Sequence, residues 1–241
     1  MMIGRRKFVA AAAAIISTAR SRPVLAAGEY AASVQLDDDE KFAISMDDYR
    51  KVKPQFRATT VDYDGPEPAG TIVVDTGRYY LYLVQENGKA RRYGIGVGRQ
   101  GFEWSGDAVI RRKAKWPRWT PPKSMVARDP EAAKWAGGMP GGPDNPLGAR
   151  ALYLYQGKVD TLYRIHGTGE PASIGRAVSS GCIRLLNADV VDLYERVPIG
   201  TRVIVRPHGE AVAASAPEER VGPERKRRTL LDFLGLAARD R

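Results

Sequence analysis

The sequence predicts a mainly β domain in the middle of the chain, and three observations support this prediction. Runs of β-branched and aromatic residues, which favour strands, occur at 71–74, 79–84, 91–97, 151–155, 162–166 and 201–205. Asn87-Gly88 separates the second and third runs and predicts a tight hairpin turn, because both residues tolerate positive φ. A single short helix is predicted, with Asn187 as its cap and Pro198 near its end.

The N-terminus has the composition of an export signal. Residues 1–26 contain Arg5-Arg6, a short apolar run that ends at Ile16, and no acidic residue. A cationic start, a short apolar run and small residues before the cleavage site are typical of a signal peptide, here cleaved near Ala26. The paired arginines fit the twin-arginine route, and a general secretory signal fits equally well. The protein is therefore expected in the periplasm or elsewhere in the cell envelope, with no transmembrane helix in its mature form.

Two further segments flank the β domain, which is predicted to cover residues 70–206. Residues 27–69 are first acidic and then punctuated by prolines, which predicts a partly ordered lead-in segment. Residues 207–241 are rich in Ala, Pro and charge and predict a disordered tail. The tail ends in a basic run and a few apolar residues, for which a frayed terminus is favoured over a membrane or partner contact.

Composition excludes several classes of function. The formal net charge is +10, but the signal segment carries five bases and no acid, so a surplus of +5 remains. These bases are spread along the chain, and no nucleic-acid partner is predicted, whereas an anionic envelope polymer or lipid surface fits. One cysteine and two histidines exclude a disulfide framework and are too few for a structural zinc site. No metal and no cofactor are expected.

Two glycine-containing segments need a separate interpretation. Gly96 to Gly101 matches a dinucleotide-binding glycine pattern, but no helical period or ribose-binding acid follows, so a nucleotide site is rejected. Residues 102–148 are rich in Trp, Pro and Gly and are interpreted as a long loop. Two roles remain open for this loop: it is pinned to the core by its tryptophans, or it is a lid over a substrate.

The chemistry-bearing pair is Cys182 and His166. A cysteine thiolate is a nucleophile, and it needs a base beside it at neutral pH, which an imidazole provides. His208 falls in the tail, so His166 is the candidate base. The backbone amides of Gly181 and Cys182 could stabilise an oxyanion. Spacing alone favours an inert buried thiol and a core histidine, but an unpaired thiol outside the cytoplasm is exposed to oxidation, which favours a use for it.

Residues 70–206 resemble the L,D-transpeptidase catalytic domain (YkuD-type) family. The family signature is a histidine, about 14–17 intervening residues, and Ser/Thr-His-Gly-Cys followed by an aliphatic residue and Arg or Asn. Here fifteen residues separate His166 from Cys182, and Ile183-Arg184 follow. Similar text also occurs outside the signature, at 70–75, 80–83, 96–98, 146–148, 165–168 and 187–190.

The resemblance implies a β-sandwich or barrel-like domain with a short helix after the catalytic cysteine. It implies that Cys182 attacks a peptidoglycan stem tetrapeptide, that D-alanine leaves, and that the thioester passes to an amine acceptor such as another stem or an envelope protein. His166 would be the general base. Substrate contacts are assigned to Arg184, Gly167, Ser179 and Ser180, although a structural ion pair explains Arg184 equally well. Ser180 departs from the family, which commonly has a second histidine there, so the acceptor preference is not carried over.

Three readings of function follow. The first is an L,D-transpeptidase of cell-wall biogenesis and cell-shape maintenance that forms 3→3 cross-links or attaches proteins. The second is an L,D-carboxypeptidase or endopeptidase, in which water resolves the same thioester. The third is a non-catalytic wall-binding scaffold that needs neither Cys182 nor His166.

Overall fold

The computed structural model describes residues 40–98, 104–178, 183–207 and 209–210. The predicted signal peptide and nearly all of the predicted tail lie outside these residues. The mainly β prediction is confirmed. The strands, in chain order, are β1 (Thr59–Asp62), β2 (Ile72–Asp75), β3 (Tyr80–Gln85), β4 (Lys89–Gly94), β5 (Gly96–Gly98), β6 (Gly106–Lys115), β7 (Arg150–Gln156), β8 (Val159–Thr168), β9 (Ala177–Val178), β10 (Ile183–Leu186) and β11 (Arg202–Val205).

The helices are short. They are α1 (Asp47–Lys51), α2 (Lys123–Val126), α3 (Pro130–Ala133) and α4 (Asn187–Arg196), with 3-10 turns at Pro54–Phe56 and Pro171–Ser173. None of the helices in the described part of the chain has the length and apolar character that spanning a membrane requires.

The described strands form one sheet in the order β1-β4-β3-β2-β11-β6-β7-β8-β10-β5-β9. Most neighbours are antiparallel, and the parallel pairs are β2 with β11, β8 with β10 and β5 with β9. The sheet curves, because one core cluster takes residues from both of its halves, for example Leu81 from β3 and Leu152 from β7. This curvature gives the sandwich-like shape that the family resemblance implies.

Strand β2 is apolar at consecutive positions because both of its faces are covered. Ile72 and Val74 belong to the main core, whereas Val73 packs on the opposite face with Tyr80 and Tyr82. The β3–β4 hairpin turns at Asn87 and Gly88, whose φ angles are 60° and 63°. The sequence predicted this turn.

Helix α4 connects the two halves of the sheet. Asp192 on α4 accepts hydrogen bonds from the Tyr93 hydroxyl at 2.9 Å and from Arg91 Nε at 3.3 Å, both on β4. At the other end, Lys113 on β6 donates to the carbonyls of Tyr194 and Val197 at 2.6 and 2.8 Å. A cation at the C-terminus of a helix stabilises the carbonyls that have no intrahelical partner.

One feature departs from the sequence interpretation, and a second adds detail to the partly ordered lead-in. Strand β6, ten residues long, occupies part of the segment interpreted as a loop at 102–148. Within the lead-in, β1 joins the sheet by pairing with β4, and Tyr49 and Val52 belong to the main core. The ordered fold therefore begins well before residue 70.

Candidate functional site

His166 lies on β8, in the half of the sheet that also contains β7 and β10. It pairs with Ala151 on β7 and with Arg184 on β10. Its neighbour Ile165 is buried in the main core, so the alternation of a strand directs His166 to the opposite face of the sheet. Only 3% of His166 is exposed. The imidazole is thus a buried group on the face of the sheet away from the core.

The His166 ring is held by a backbone contact. Its Nδ1 lies 2.9 Å from the carbonyl oxygen of Gly167. A carbonyl oxygen only accepts hydrogen bonds, so Nδ1 carries the proton and Nε2 of the neutral ring is left with its lone pair. The lone pair on Nε2 is what a general base requires.

Burial also keeps this imidazole neutral. Desolvation lowers the pKa of His166 from the usual 6.5 to about 4, the bond to Gly167 opposes the shift, and the charges of Arg184 and Arg164 add to it. The imidazole is therefore in its base form throughout the neutral range.

Gly167 is held by a backbone hydrogen bond and by close packing against Asn187. Its amide donates to the Leu147 carbonyl at 3.1 Å. Its Cα packs against the Asn187 side chain so closely that a Cβ at this position would lie 2.3 Å from the Asn187 Oδ1. The same Oδ1 accepts a hydrogen bond from the Ala149 amide at 2.9 Å. The backbone that orients His166 is thus held by the turn before β7 and by the first residue of α4.

The prediction that Asn187 caps the helix is wrong. Asn187 is the first residue of α4, Leu186 precedes it at the cap position, and no side-chain capping bond forms there. The Asn187 side chain points instead to the turn at Gly148, whose φ is 61° and whose added Cβ would also lie 2.3 Å from the Asn187 Oδ1. Asn187 lies in a segment that resembles the family, but its contact with residues 148, 149 and 167 has no signal in the local sequence.

Arg184 lies directly beside His166 on the sheet. Its guanidinium is 3.2 Å from the carboxylate of Glu170, and 13% of its side chain is exposed. The Glu170 carboxylate is mostly exposed, so solvent weakens this pair. The ion pair supports the structural role expected for Arg184, and its position beside His166 keeps the substrate-contact role open.

The other predicted site residues, Cys182, Gly181, Ser179 and Ser180, lie outside the described residues. The described chain resumes at Ile183, which pairs with Ile165 in the parallel β8–β10 register. The residue that follows Cys182 is therefore the strand neighbour of the residue that precedes His166.

The remainder of the Trp- and Pro-rich segment is ordered at its base. Trp119 and Met139 exchange backbone hydrogen bonds of 2.9 and 2.7 Å. The Asn145 amide donates to the carbonyls of Pro117 and Pro140 at 3.1 and 2.9 Å. Trp116 packs edge-on against Phe42, with a centroid distance of 4.9 Å. These contacts support the pinned loop, and the lid role remains a prediction.

Among residues 40–98, 104–178 and 183–207, no group of three or more His, Cys, Asp and Glu side chains could hold a metal ion.

The chain belongs to the YkuD L,D-transpeptidase catalytic domain family, whose model matches residues 69–205. The probable L,D-transpeptidase YbiS of Escherichia coli strain K12 is 42% identical over 114 residues, which cover 45% of this chain and 35% of YbiS. The probable L,D-transpeptidase ErfK/SrfK of the same strain is 38% identical over 136 residues, covering 55% of this chain and 42% of that protein. The chain thus spans less than half the length of these two curated relatives.

A solved structure from Brucella melitensis is also similar. That protein is described as a probable carnitine operon oxidoreductase caia, and it is 51% identical to this chain. The match covers 66% of this chain and 98% of the other, with a TM-score of 0.46.

Proposed function

We propose that this protein is a peptidoglycan L,D-transpeptidase in which Cys182 is the nucleophile and His166 is the general base. The observation that carries the proposal is that His166 is a buried and neutral imidazole within the YkuD-type domain. The ring is buried, its Nδ1 is tied to the Gly167 carbonyl, and its low pKa keeps Nε2 available as a base at neutral pH. Membership of the family supports the acyl-transfer chemistry.

The first half of the reaction forms a thioester. His166 Nε2 takes the Cys182 thiol proton as the sulfur attacks the carbonyl carbon of the third stem residue. The carbonyl oxygen becomes an oxyanion, which the amides of Gly181 and Cys182 stabilise. The bond to D-alanine then breaks, and the D-alanine amine leaves with the proton that His166 held.

The second half transfers the acyl group. An acceptor amine loses a proton to His166 Nε2 and attacks the thioester carbonyl. The carbon–sulfur bond breaks, and the thiolate recovers its proton from His166. The lowered His166 pKa keeps Nε2 unprotonated before each transfer and makes the imidazolium a strong proton donor, while it weakens the imidazole as a base toward the thiol and the amine.

Two alternatives differ from this proposal at identifiable points. Water in place of the acceptor amine gives a carboxypeptidase or endopeptidase, and a scaffold would use neither Cys182 nor His166. The glycine pattern gives no support to an oxidoreductase activity like the one named for the Brucella protein, because Gly96–Gly98 form strand β5 between β10 and β9, where a dinucleotide site requires a tight turn.

We also propose that the protein is exported and acts on stem peptides in the envelope. The cationic start and short apolar run of residues 1–26 support export. An envelope protein is a second class of acceptor that the same thioester chemistry allows.

Incubation of the purified protein with disaccharide-tetrapeptide tests the proposal. Chromatography with mass spectrometry is expected to find free D-alanine and 3→3 cross-linked dimers. Cys182→Ala should abolish both products, and His166→Ala should slow D-alanine release by about a hundredfold or more. The control is His208→Ala, which removes the other histidine and should behave as the wild type.

The products that form distinguish the transpeptidase from the two alternatives. Tripeptide as the sole product at high substrate concentration would identify the protein as a carboxypeptidase. A complete lack of D-alanine release from any stem would support the non-catalytic scaffold.

A further inference from the structure

A row of three side chains crosses the sheet beside His166. Arg112 on β6 pairs with Tyr153 on β7, and Tyr153 pairs with Arg164 on β8. Directly paired residues share a face of a sheet, and residues two apart on one strand share it too. Arg164 and His166 are two apart, so the whole row lies on the His166 face.

The two arginines approach one aromatic ring from both neighbouring strands. The Arg112 guanidinium carbon lies 4.4 Å from the Tyr153 ring centroid, and that of Arg164 lies 4.5 Å from it. Tyr153 itself is buried. Stacking on a buried ring orders a guanidinium and leaves its N–H edge available for hydrogen bonding.

The charges of the two arginines are not equivalent. Asp160 neutralises Arg164 through two hydrogen bonds of 2.7 and 2.8 Å. Arg112 is exposed, and no carboxylate of the described residues lies within 4 Å of its nitrogens. Within the described chain, the row therefore presents one net positive charge, and Arg112 carries it.

The distance from this row to the His166 imidazole matches the length of a short stretch of bound peptide. Tyr153 lies on the strand next to that of His166 and is displaced from it by two residues along the strand direction. Neighbouring strands are about 4.8 Å apart and each residue rises about 3.3 Å, so the two residues are about 8 Å apart. Two residues of extended peptide span about 7 Å. A group bound over Tyr153 would thus sit one or two residues from a carbonyl held at His166.

We propose that Arg112, stacked on Tyr153, binds a free carboxylate of the stem peptide within two residues of the attacked carbonyl. This inference rests on the proposed function, because it names the group by which that site selects its acyl donor. Two carboxylates of a stem fit the distance: the one on the residue before the attacked position and the one on the side chain of the attacked residue itself.

The test compares D-alanine release from stems in which these carboxylates are free, or converted to the amide one at a time. For the wild type, amidation of the bound carboxylate should lower kcat/KM by about tenfold to a hundredfold, chiefly through KM, as the loss of a hydrogen bond to a charged group does. The position whose amidation has this effect identifies the carboxylate.

Three variants complete the design. Arg112→Gln should turn over the free and amidated stems at one common low kcat/KM, whereas Arg112→Lys should keep part of the discrimination. The matched control is Arg111→Gln, which removes the neighbouring exposed arginine at the β6 bulge and should discriminate as the wild type does. The thermal midpoint of each variant verifies that it is folded.

Two outcomes are decisive and distinguishable. If Arg112→Gln discriminates between the stems as the wild type does, or the wild type does not discriminate, this inference is overturned while the proposed function stands. If the wild type releases no D-alanine from any stem, the proposed function fails, and the inference falls with it.

Discussion

The free energy of unfolding at low pH is the most sensitive test of whether His166 is a buried, neutral imidazole in the folded protein. The perturbation is a decrease in pH from about 7.5 to about 4, applied to Cys182→Ala and to the same protein carrying His166→Gln as well. Removing the thiol from both proteins ensures that no thiolate influences the imidazole. The measured quantity is the difference between their free energies of unfolding at each pH.

The sign follows from which state binds the proton more tightly. The folded protein holds the His166 pKa at about 4, below the ordinary value of 6.5 that applies to the unfolded chain. Below pH 6.5 the unfolded chain therefore gains a proton that the folded protein does not, and stability falls until the pH reaches the folded pKa. The loss should be about 2 kcal/mol at pH 5 and about 3 kcal/mol at pH 4, since each unit of pKa corresponds to about 1.4 kcal/mol.

Urea titrations at several pH values, extrapolated linearly to water, provide both free energies. Other titrating groups are common to the two proteins and cancel in the difference. The protein that keeps His166 should lose its advantage progressively below pH 6.5. A difference that stays constant from about pH 7.5 to about pH 4 would mean that the imidazole is protonated as easily in the folded protein as in the unfolded chain, and that burial does not lower its pKa.

Two further substitutions test the contacts around the site. Gly167→Ala places a Cβ 2.3 Å from the Asn187 Oδ1 and should lower the free energy of unfolding by about 1–3 kcal/mol, whereas Gly169→Ala, with open space around the new Cβ, should change it little. Glu40→Gln removes the carboxylate that pairs with Arg150, which is fully buried, and should cost about 3–5 kcal/mol in urea unfolding. A cost below about 1 kcal/mol for Glu40→Gln would contradict a folded role for this part of the lead-in.

Strands that contain a run of aromatic and branched residues were predictable from the sequence. Runs such as Tyr80–Gln85 combine aromatic and branched residues, and the Asn87-Gly88 turn fixes how the next strand returns. Strand β6 escaped prediction because its second half reads Arg-Arg-Lys-Ala-Lys. Arg112 lies over the Tyr153 ring and Lys113 bonds to a helix carbonyl, from exposed and half-buried positions, so the strand needs no apolar run there.

Part of the candidate site was likewise predictable from the sequence, and part was not. The motif and its spacing singled out His166, and the structure shows it buried with one ring nitrogen bonded. The contacts that hold Gly167 were not predictable. They join Leu147, Gly167 and Asn187 across 40 residues of chain, through a backbone hydrogen bond and close packing. Such contacts depend on the β7–β8–β10 register, which no local pattern encodes.

Intact-mass spectrometry of the protein mixed briefly with tetrapeptide stem tests directly whether Cys182 carries the acyl group. We expect a covalent adduct with the mass of the stem minus D-alanine, located by peptide mapping on Cys182 and absent from Cys182→Ala. The adduct should decay when an acceptor amine is added. Turnover of the stem by Cys182→Ala at the wild-type rate, or an adduct mapped to another residue, would show that Cys182 is not the nucleophile.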